Sequence, residues 1–398
     1  MIVVLFVVSL LADWYIFRDI RRYAAPKGRK AWSIIYAVLS ALFWVFLIVV
    51  ICMPRRDVNA SILPVMWMLY AYVTIYAAKF IYVICSFIGK LFRPRRNYGV
   101  AVGVVLALIT FAGMWYGALV TRYKIEVTQA VVESEKLPDK FDNFKIVQFS
   151  DVHVGTWGND TTFISTLVDS INAQKPDLIL FTGDIVNRVT SELDPFVAPL
   201  SRLKAPYGVY SILGNHDYGD YADWDSPADR DANNARLAEL QRQMGWTLLN
   251  NDYDFIRVDG DSIALIGVEN WGEPPFPTYG DLRKAYRDSA LGHHLNDEKF
   301  KILMTHNPEH WRREVTQLSN IDLSLAGHTH AMQAMVKLGG FKWSPSAFKY
   351  KNWGGLYGEE SGKPMNLYVN IGDGEVGFPA RLGAAYPEVT VLTLKKKK

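Results

Sequence analysis

The stretch Gly214-Asn215-His216-Asp217 places a glycine, an amide, an imidazole and a carboxylate in four consecutive positions, directly after the apolar run 209–213. Such a run predicts a buried strand, and a glycine lets the backbone turn sharply where a strand ends. Open α/β sheets usually hold their functional sites at the carboxyl ends of their strands. A polar turn can also be a solvated loop, so the interpretation depends on what the other strand ends carry.

Four further apolar runs end in side chains of the same kinds. The residues that follow these runs are Asp151, His153, Asp184, His306, His328 and His330. Carboxylate, imidazole and amide groups together suit divalent ions such as Mn, Fe or Zn. Five of the eight histidines lie at these strand ends, which favours one metal site over five unrelated surface residues. Asp151 and His153 are one residue apart, so in an extended segment both would point to the same side.

The first third of the chain contains four apolar runs, residues 2–17, 33–53, 62–87 and 100–120. The last three are long enough to cross a hydrocarbon core of about 30 Å, and we interpret the shorter first run as a membrane helix too. Lys79 is the one ionisable residue that this pattern predicts near the middle of the membrane.

Basic residues are concentrated in two of the three loops between these runs. The first loop contains Arg18, Arg21, Arg22, Lys27, Arg29 and Lys30, the third contains Lys90, Arg93, Arg95 and Arg96, and the middle loop contains Arg55 and Arg56. Because basic loops stay in the cytoplasm, both chain ends are predicted on the opposite side of the membrane.

Past residue 122 short β-branched runs alternate with amphipathic segments. The predicted strands are 145–149, 178–181, 209–213, 262–268, 300–304, 323–326, 367–371 and 389–394, and the predicted helices are 161–173 and 233–244. This alternation predicts a layered α/β domain. We therefore divide the chain into a transmembrane helical region (1–122), a linker (123–143) and a globular domain (144–398).

The strand-end residues form ordered motifs. In chain order they are Asp151-x-His153, Gly183-Asp184, Gly214-Asn215-His216-Asp217, Thr305-His306 and Gly327-His328-Thr329-His330. Together they resemble the motifs of the calcineurin-like metallophosphoesterase family, in particular its membrane-anchored bacterial branch, over roughly residues 145–394. The resemblance implies an α/β/β/α sandwich of two mixed sheets flanked by helices, preceded by a bundle of about four transmembrane helices. The bacterial branch implies the plasma (inner) membrane. The four apolar runs and the basic loops described above predict a multi-pass protein whose catalytic domain lies on the periplasmic or extracellular side.

The resemblance further implies a site for two divalent metal ions (Mn, Fe, Zn or similar). The implied ligands are Asp151, His153 and His330 for the first metal, Asn215, His306 and His328 for the second, and Asp184 as the bridge. His216 would act on the substrate, and Asp217 would orient its ring. The implied reaction is hydrolysis of a phosphodiester, phosphomonoester or pyrophosphate bond by a metal-activated hydroxide.

The substrate is left open by these motifs. Residues 337–357 interleave lysines with aromatic residues, which favours an anionic lipid surface or nucleic acid. The membrane runs favour the lipid surface, and a net charge of only +3 argues against a nucleic-acid partner. We therefore hypothesise a lipid-linked phosphoester substrate. The alternatives are a broad nucleotide phosphodiesterase or phosphatase, and a non-catalytic membrane receptor or scaffold that retains the fold.

Two further positions have simple structural interpretations. Asn187 stands where the family often has a carboxylate, and it is expected to cap the segment that follows. The acidic and aromatic residues 218–231 form either a lid or a solvated loop.

Overall fold

The computed structural model describes residues 2–92, 97–274, 276–286, 300–358 and 364–397, with side chains from residue 6 onward. The chain forms two compact units. The helical unit comprises Met1–Arg55, Pro64–Leu119 and Gly377–Ala380. The α/β unit comprises Arg56–Leu63, Val120–Val376 and Arg381–Lys398.

The helical unit is built from four long helices in its described residues. They are α1 (Ile2–Tyr23), α2 (Arg29–Cys52), α3 (Leu63–Leu91) and α4 (Tyr98–Leu119). Among the described residues, the three helices that begin at Arg29, Leu63 and Tyr98 are long and apolar enough to cross a membrane. The basic residues Arg93, Arg95 and Arg96 lie outside the described residues.

Lys79 has a charged partner inside the helical unit. Its Nζ atom donates to Oδ1 of Asp13 at 2.6 Å, and both side chains are largely buried. The hydroxyls of Tyr36 (2.7 Å) and Tyr76 (2.8 Å) also donate to this carboxylate. The prediction of a lone ionisable residue is therefore wrong, because α1 brings Asp13 to the same level as Lys79.

The α/β unit consists of strands and shorter helices. The strands are β1 (Glu126–Ser134), β2 (Lys145–Phe149), β3 (Leu178–Phe181), β4 (Val209–Ser211), β5 (Trp246–Leu248), β6 (Asp252–Val258), β7 (Asp261–Gly267), β8 (Lys301–Met304), β9 (Leu323–Ala326), β10 (Ala334–Leu338), β11 (Phe341–Trp343), β12 (Gly355–Tyr357), β13 (Asn366–Val369), β14 (Leu382–Gly383) and β15 (Glu388–Lys396). The helices are α5 (Thr162–Ala173), α6 (Val197–Leu200), α7 (Pro227–Gln243), α8 (Leu282–Ala285), α9 (Pro308–His310) and α10 (Thr316–Leu318).

In the described part of the chain these strands form two six-stranded mixed sheets, in the orders β1-β15-β2-β3-β4-β5 and β12-β13-β9-β8-β7-β6. A small third sheet has the order β11-β10-β14. The predicted fold class, membrane helices followed by a sandwich of two mixed sheets with flanking helices, is confirmed.

Residues 123–143, predicted as a linker, contain strand β1. It pairs in parallel with β15 along its full length, from Glu126 opposite Glu388 to Ser134 opposite Lys396. Residues Glu126–Ser134 of this segment are therefore the edge strand of the first sheet. The exposed side chains of alternate residues in β1 leave it without the apolar run that marks a buried strand.

Side-chain alternation builds the two layers of the core. In β3, Leu178 and Leu180 pack between the sheets with residues of β7, β8 and β9. Ile179 and Phe181 point the other way, into a cluster with residues of α5 and α7. Strands β2, β3 and β4 run parallel to one another, as do β7, β8 and β9. The carboxyl ends of each parallel set therefore lie together at one edge.

Candidate active site

The seven predicted metal ligands are brought together at these carboxyl ends. Two groups of side chains each present their ligand atoms within 4.8 Å of one another, namely Asp151, His153 and His330, and Asp184, His306 and His328. Asn215 joins the second group, because its Oδ1 atom lies 3.2 Å from Nε2 of His306. The side chains that were predicted to share a metal therefore lie together in the structure.

The ligand-bearing loops have an unusual backbone. Among the described residues, φ is positive at Asp151 (53°), His153 (43°), Asp184 (62°), His328 (71°) and His330 (49°). Non-glycine residues rarely adopt this left-handed conformation, and such strain is concentrated at functional sites. The sequence argument from an extended segment is therefore wrong, although the side chains still converge.

In the first group, His153 and His330 face each other. Their Nε2 atoms lie 3.1 Å apart, and Nε2 of His330 is 3.2 Å from Oδ1 of Asp151. The Nδ1 atom of His153 lies 3.1 Å from the carbonyl oxygen of Val186, which requires a proton on Nδ1. A neutral His153 therefore presents the lone pair of Nε2 to the centre of the group.

In the second group, His306 is oriented in the same way. Its Nδ1–H donates to the carbonyl oxygen of Thr182 at 2.8 Å. Its Nε2 atom then faces Nδ1 of His328 at 3.2 Å, while Nε2 of His328 contacts the hydroxyl of Tyr350 at 2.9 Å. Hydrogen bonds of this kind on the outer ring nitrogen are typical of histidines that hold metals.

Asp184 lies between the two groups. Its Oδ2 atom is 3.5 Å from Nε2 of His153 and 3.2 Å from Nε2 of His306. Its Oδ1 atom accepts the backbone N–H of His216 at 2.7 Å. One carboxylate oxygen is therefore fixed by the backbone, and the other is directed at both groups.

The charge of the site favours cations. Burial alone would lower the pKa of His306, but the carboxylates of Asp184 and Asp151 raise it to about 10. Burial lowers the pKa of His328 to about 3, and neighbouring His306 adds to this effect. The buried carboxylates thus draw positive charge to His306 while its neighbour stays neutral. This donor set, with converging lone pairs and no sulfur, fits two divalent cations.

His216 lies beside the ligands, and its ring is held from two sides. Its Nδ1–H donates to the carbonyl oxygen of Asn187 at 2.6 Å. The phenol ring of Tyr221 stacks on the imidazole, with centroids 4.3 Å apart and planes inclined by 22°. Asn187 was expected to cap a following segment, and its main-chain oxygen instead fixes the tautomer of His216.

The predicted contact between Asp217 and the ring of His216 is not formed, as judged from these two described residues. The carboxylate of Asp217 instead accepts the backbone N–H groups of Gly214 (2.9 Å), Asp184 (2.8 Å) and Ile185 (2.9 Å). Burial and the negative charge of Asp184 raise the pKa of Asp217 to about 7. The carboxylate of Asp217 therefore ties together the two loops that carry the candidate metal ligands Asp184 and Asn215.

A cavity of about 340 Å³ opens onto this site and is lined by His216, His328 and His330. Its walls contain further residues that the sequence motifs did not indicate, among them Tyr221, Asn270, Phe276, Met332, Lys349 and Tyr350. Tyr221, Lys349 and Tyr350 lie in segments 218–231 and 337–357, whose acidic or basic and aromatic composition is visible in the sequence. Asn270 and Met332 carry no such signal, because only the fold brings their loops to the strand ends.

Two neighbouring groups of buried histidines and carboxylates, with Asp184 within 3.5 Å of a histidine of each, are typical of a metal-dependent hydrolase. Comparison with known proteins agrees. Residues 144–332 match the calcineurin-like phosphoesterase family, and residues 1–122 match the transmembrane domain of probable calcineurin-like phosphoesterases. The chain belongs to the calcineurin-like metallophosphoesterase family.

Similar proteins occur in several organisms. The chain is 34% identical to the uncharacterized metallophosphoesterase YkuE of Bacillus subtilis, over 73% of this chain and 92% of the relative. It is 28% identical to the uncharacterized metallophosphoesterase Cj0846 of Campylobacter jejuni, over 98% of this chain and 96% of the relative. A transmembrane protein with a metallophosphoesterase domain from Danio rerio is 28% identical over 82% of this chain and 71% of its own length. The predicted family and enzyme class, a metal-dependent phosphoric ester hydrolase with a membrane domain, are confirmed.

Proposed function

We propose that this protein hydrolyses a phosphodiester, phosphomonoester or pyrophosphate bond of a lipid-linked substrate, with two divalent metal ions held by the two ligand groups and His216 as the catalytic residue. The observation that carries the proposal is the position of Asp184 between the two groups, with its backbone-bonded oxygen next to His216. When bound, two divalent ions lower the pKa of a water molecule and offset the charge that develops at phosphorus.

His216 supplies the proton chemistry in this proposal. Because Nδ1 donates to Asn187, Nε2 is the ring nitrogen that remains for the substrate. The ring lines the cavity beside the metal ligands, where it is placed to protonate a leaving oxygen. Tyr221 covers one face of the ring and limits its rotation. Asp217 does not contact the substrate in this proposal; it fixes the backbone of Gly214 and Asp184.

The walls of the cavity support an amphiphilic substrate. Phe276 and Met332, which line the cavity, are 56% and 43% exposed, so the site has an apolar rim. Lys349 lines the same cavity and provides a cation for a second anionic group. Pockets that combine apolar walls with a few polar groups bind ligands of mixed character. A phosphate at the metal ligands and a hydrocarbon portion along Phe276 and Met332 would use both parts.

The basic and aromatic segment 337–357 supports contact with a lipid surface. Leu338, Phe341 and Phe348 are 71%, 60% and 85% exposed, although they are large and apolar. Exposed apolar side chains flanked by lysines are typical of segments that lie at an anionic membrane interface.

The middle loop supports the proposed location. Residues Arg56–Leu63, between α2 and α3, belong to the α/β unit, which favours placing that loop and the catalytic site on one side of the membrane. The other two loops are the basic ones and favour the cytoplasm. A bacterial inner-membrane protein with a periplasmic or extracellular catalytic site fits both features.

The experiment compares two phosphodiesters with the same headgroup, one short-chain and soluble and one long-chain in vesicles, using purified full-length protein with Mn²⁺. We expect the long-chain substrate to have the higher kcat/KM. Phe276→Ser and Met332→Ser should reduce that preference at least threefold. Leu318→Ser is the control, because Leu318 is 48% exposed and does not line the cavity.

Other results would favour the alternatives. Hydrolysis of soluble nucleotides with no preference for the long-chain diester would support a broad nucleotide phosphodiesterase or phosphatase. Metal binding without turnover of any phosphoester would support a receptor or scaffold and would contradict the proposed function.

A further inference from the structure

The segment Arg56–Leu63 connects two membrane helices, yet it forms part of the α/β unit. We call it the α2–α3 loop. Its polar contacts reach the two stretches of chain that hold the ring of His216, namely Asn187-Arg188 and Asp220–Asp223. Neither stretch contains a metal ligand.

The first stretch is held through Arg188. This side chain is only 5% exposed, and its guanidinium donates to the carbonyl oxygens of Asp57 (3.1 Å) and Ala60 (2.5 Å) in the α2–α3 loop. The residue before it, Asn187, provides the carbonyl oxygen that accepts Nδ1–H of His216 at 2.6 Å. The carboxylate of Glu192 accepts the backbone N–H groups of Asn187 (2.6 Å) and Arg188 (3.1 Å). Two sets of contacts thus fix the carbonyl of Asn187 that orients His216. Glu192 holds the backbone of Asn187 and Arg188, and the α2–α3 loop holds the side chain of Arg188.

The second stretch is held through Arg56. Its Nη2 atom donates to the carbonyl oxygens of Asp220 and Ala222, both at 3.1 Å, on either side of Tyr221. Its Nε atom donates to Asp223 at 2.6 Å, and the backbone N–H of Asp223 donates to the carbonyl oxygen of Arg56 at 2.7 Å. The residue between the two carbonyls, Tyr221, is the one that stacks on His216.

We propose that the α2–α3 loop is a positioning element for catalysis, and that Arg188 and Arg56 are positioning residues that act through His216. The inference rests on the proposed function of His216. Arg188 fixes the hydrogen-bond acceptor of the ring, and Arg56 fixes the aromatic ring that covers its face. A general acid must lie within hydrogen-bond reach of the leaving oxygen. A small loss of orientation of the His216 ring should therefore lower kcat strongly while substrate affinity changes little.

The chemistry of arginine explains why this residue type is used twice. A guanidinium presents several N–H donors in a rigid plane and can bind two carbonyl oxygens at once. A lysine at position 188 would keep the charge but present it as a single point, so it should recover only part of the function.

The experiment uses the full-length protein loaded with Mn²⁺ and measures kcat and KM on two phosphodiesters, one with a p-nitrophenol leaving group and one with an alkyl alcohol. The variants are Arg188→Met, Arg188→Lys and Arg56→Met. The control is Arg202→Met, because Arg202 is 50% exposed in an ion pair with Asp169 and matches Arg56, which is 51% exposed in its pair with Asp223.

We expect Arg188→Met to lower kcat on the alkyl diester roughly tenfold with KM changed less than about twofold. Arg188→Lys and Arg56→Met should each lower kcat on the alkyl diester by about threefold. Arg202→Met should leave this kcat unchanged. The loss should be smaller on the p-nitrophenyl diester, because that leaving group needs no proton. Bound Mn²⁺, measured by elemental analysis, should not change.

The decisive comparison repeats Arg188→Met and Arg56→Met in a His216→Ala background. If the two arginines act through His216, each change should have no further effect on kcat there. An equal fold-loss in both backgrounds, or a loss of Mn²⁺ that matches the loss of activity, would overturn the inference. If Arg188→Met does not fold, Arg56→Met and Arg188→Lys decide the question. Absence of turnover by the unaltered protein would instead contradict the proposed function itself.

Discussion

The Nε2 atom of His306 and the Oδ2 atom of Asp184 lie 3.2 Å apart, while Nδ1 of His306 donates to the carbonyl oxygen of Thr182 at 2.8 Å. In a neutral ring Nε2 is then an acceptor, so two acceptors face each other. The arrangement is stable only with a cation at this point, either a proton on the ring or a metal ion. The same carboxylate oxygen is 3.5 Å from Nε2 of His153, so it serves both ligand groups.

Asp184→Asn should therefore affect both metals, because it removes the shared charge while it preserves the shape of the side chain. We expect bound Mn²⁺ to fall from two per chain to below one, and turnover of a chromogenic phosphodiester to fall at least 100-fold. His328→Ala should remove one metal only, because this side chain belongs to the second group. Elemental analysis of dialysed protein measures both; two retained metals in Asp184→Asn would contradict the bridging role.

Asp217 and His216 should differ in what their loss damages. Asp217→Ala leaves buried backbone N–H groups of Gly214, Asp184 and Ile185 without their acceptor, so we expect a stability loss of about 3 kcal/mol or more together with a loss of metal. His216→Ala should keep both stability and metal and lower kcat by roughly 100-fold or more. Thermal unfolding, metal content and turnover of the two variants separate these outcomes. A stable, metal-loaded Asp217→Ala would show that the carboxylate does not position the ligand loops.

Gly327 should not tolerate a side chain, because it lies against the first ligand group. A Cβ atom there would be 2.1 Å from Oγ of Ser150 and 2.3 Å from Oδ2 of Asp151. Gly327→Ala should displace Asp151 and reduce metal binding at the first group. The matched control is Gly340→Ala, where a Cβ atom would meet nothing within 4 Å among the described residues. Equal metal content in the two variants would contradict this prediction.

The pair of Asp13 and Lys79 should stabilise the helical unit through charge balance. Asp13→Asn leaves the ammonium group of Lys79 largely buried without its counter-charge, which typically costs about 3–5 kcal/mol. The double variant Asp13→Asn with Lys79→Met should recover part of that loss, since it removes the unpaired charge. Thermal unfolding of the detergent-solubilised protein measures both variants. A double variant less stable than Asp13→Asn alone would show that the pair does not act by charge balance.

Asp322 should make stability depend on pH. Burial raises its pKa above the ordinary value of 3.8, although Lys136 lies 3.1 Å away. The folded state therefore binds its proton more tightly than the unfolded state does, so the stability that this group contributes is present below pH 3.8 and is lost as the pH rises through the folded pKa. The side chain introduced by Asp322→Asn does not titrate. The unfolding temperature of this variant minus that of the unaltered protein should therefore be higher at pH 7 than at pH 4. The opposite trend would mean that the pKa is lowered in the folded state.

The parts of the fold that the sequence predicted are those in which side-chain type determines local structure. Strands β2, β3 and β9 have the bounds that their apolar runs predicted, because buried strands need apolar residues on both faces. The seven candidate ligand residues could be predicted to lie together because few side chain types can hold a metal ion, and these seven follow strand ends. The left-handed backbone at five of them was not predicted, since it depends on the loop as a whole.

Contacts made by main-chain atoms could not be predicted in the same way. Every residue has a carbonyl oxygen, so nothing in the sequence indicates that the one on Asn187 would accept the hydrogen bond from Nδ1–H of His216. The sequence likewise gives no indication that the carbonyl oxygens of Asp57 and Ala60 accept hydrogen bonds from Arg188. Asp217 is the only carboxylate in its motif, so the sequence predicted that it contacts the His216 ring. The carbonyl oxygen of Asn187 makes that contact instead.

The position of β15 also determines the order in which the protein can be assembled. This strand lies between β1 and β2, although β1 and β2 are made soon after the membrane helices and β15 is made last among the strands that the structure describes. During translation β1 therefore leaves the ribosome with an unpaired hydrogen-bonding edge. Such edges associate readily with other chains. A chaperone that covers this edge until β15 has paired with β1 would therefore limit aggregation of the nascent protein.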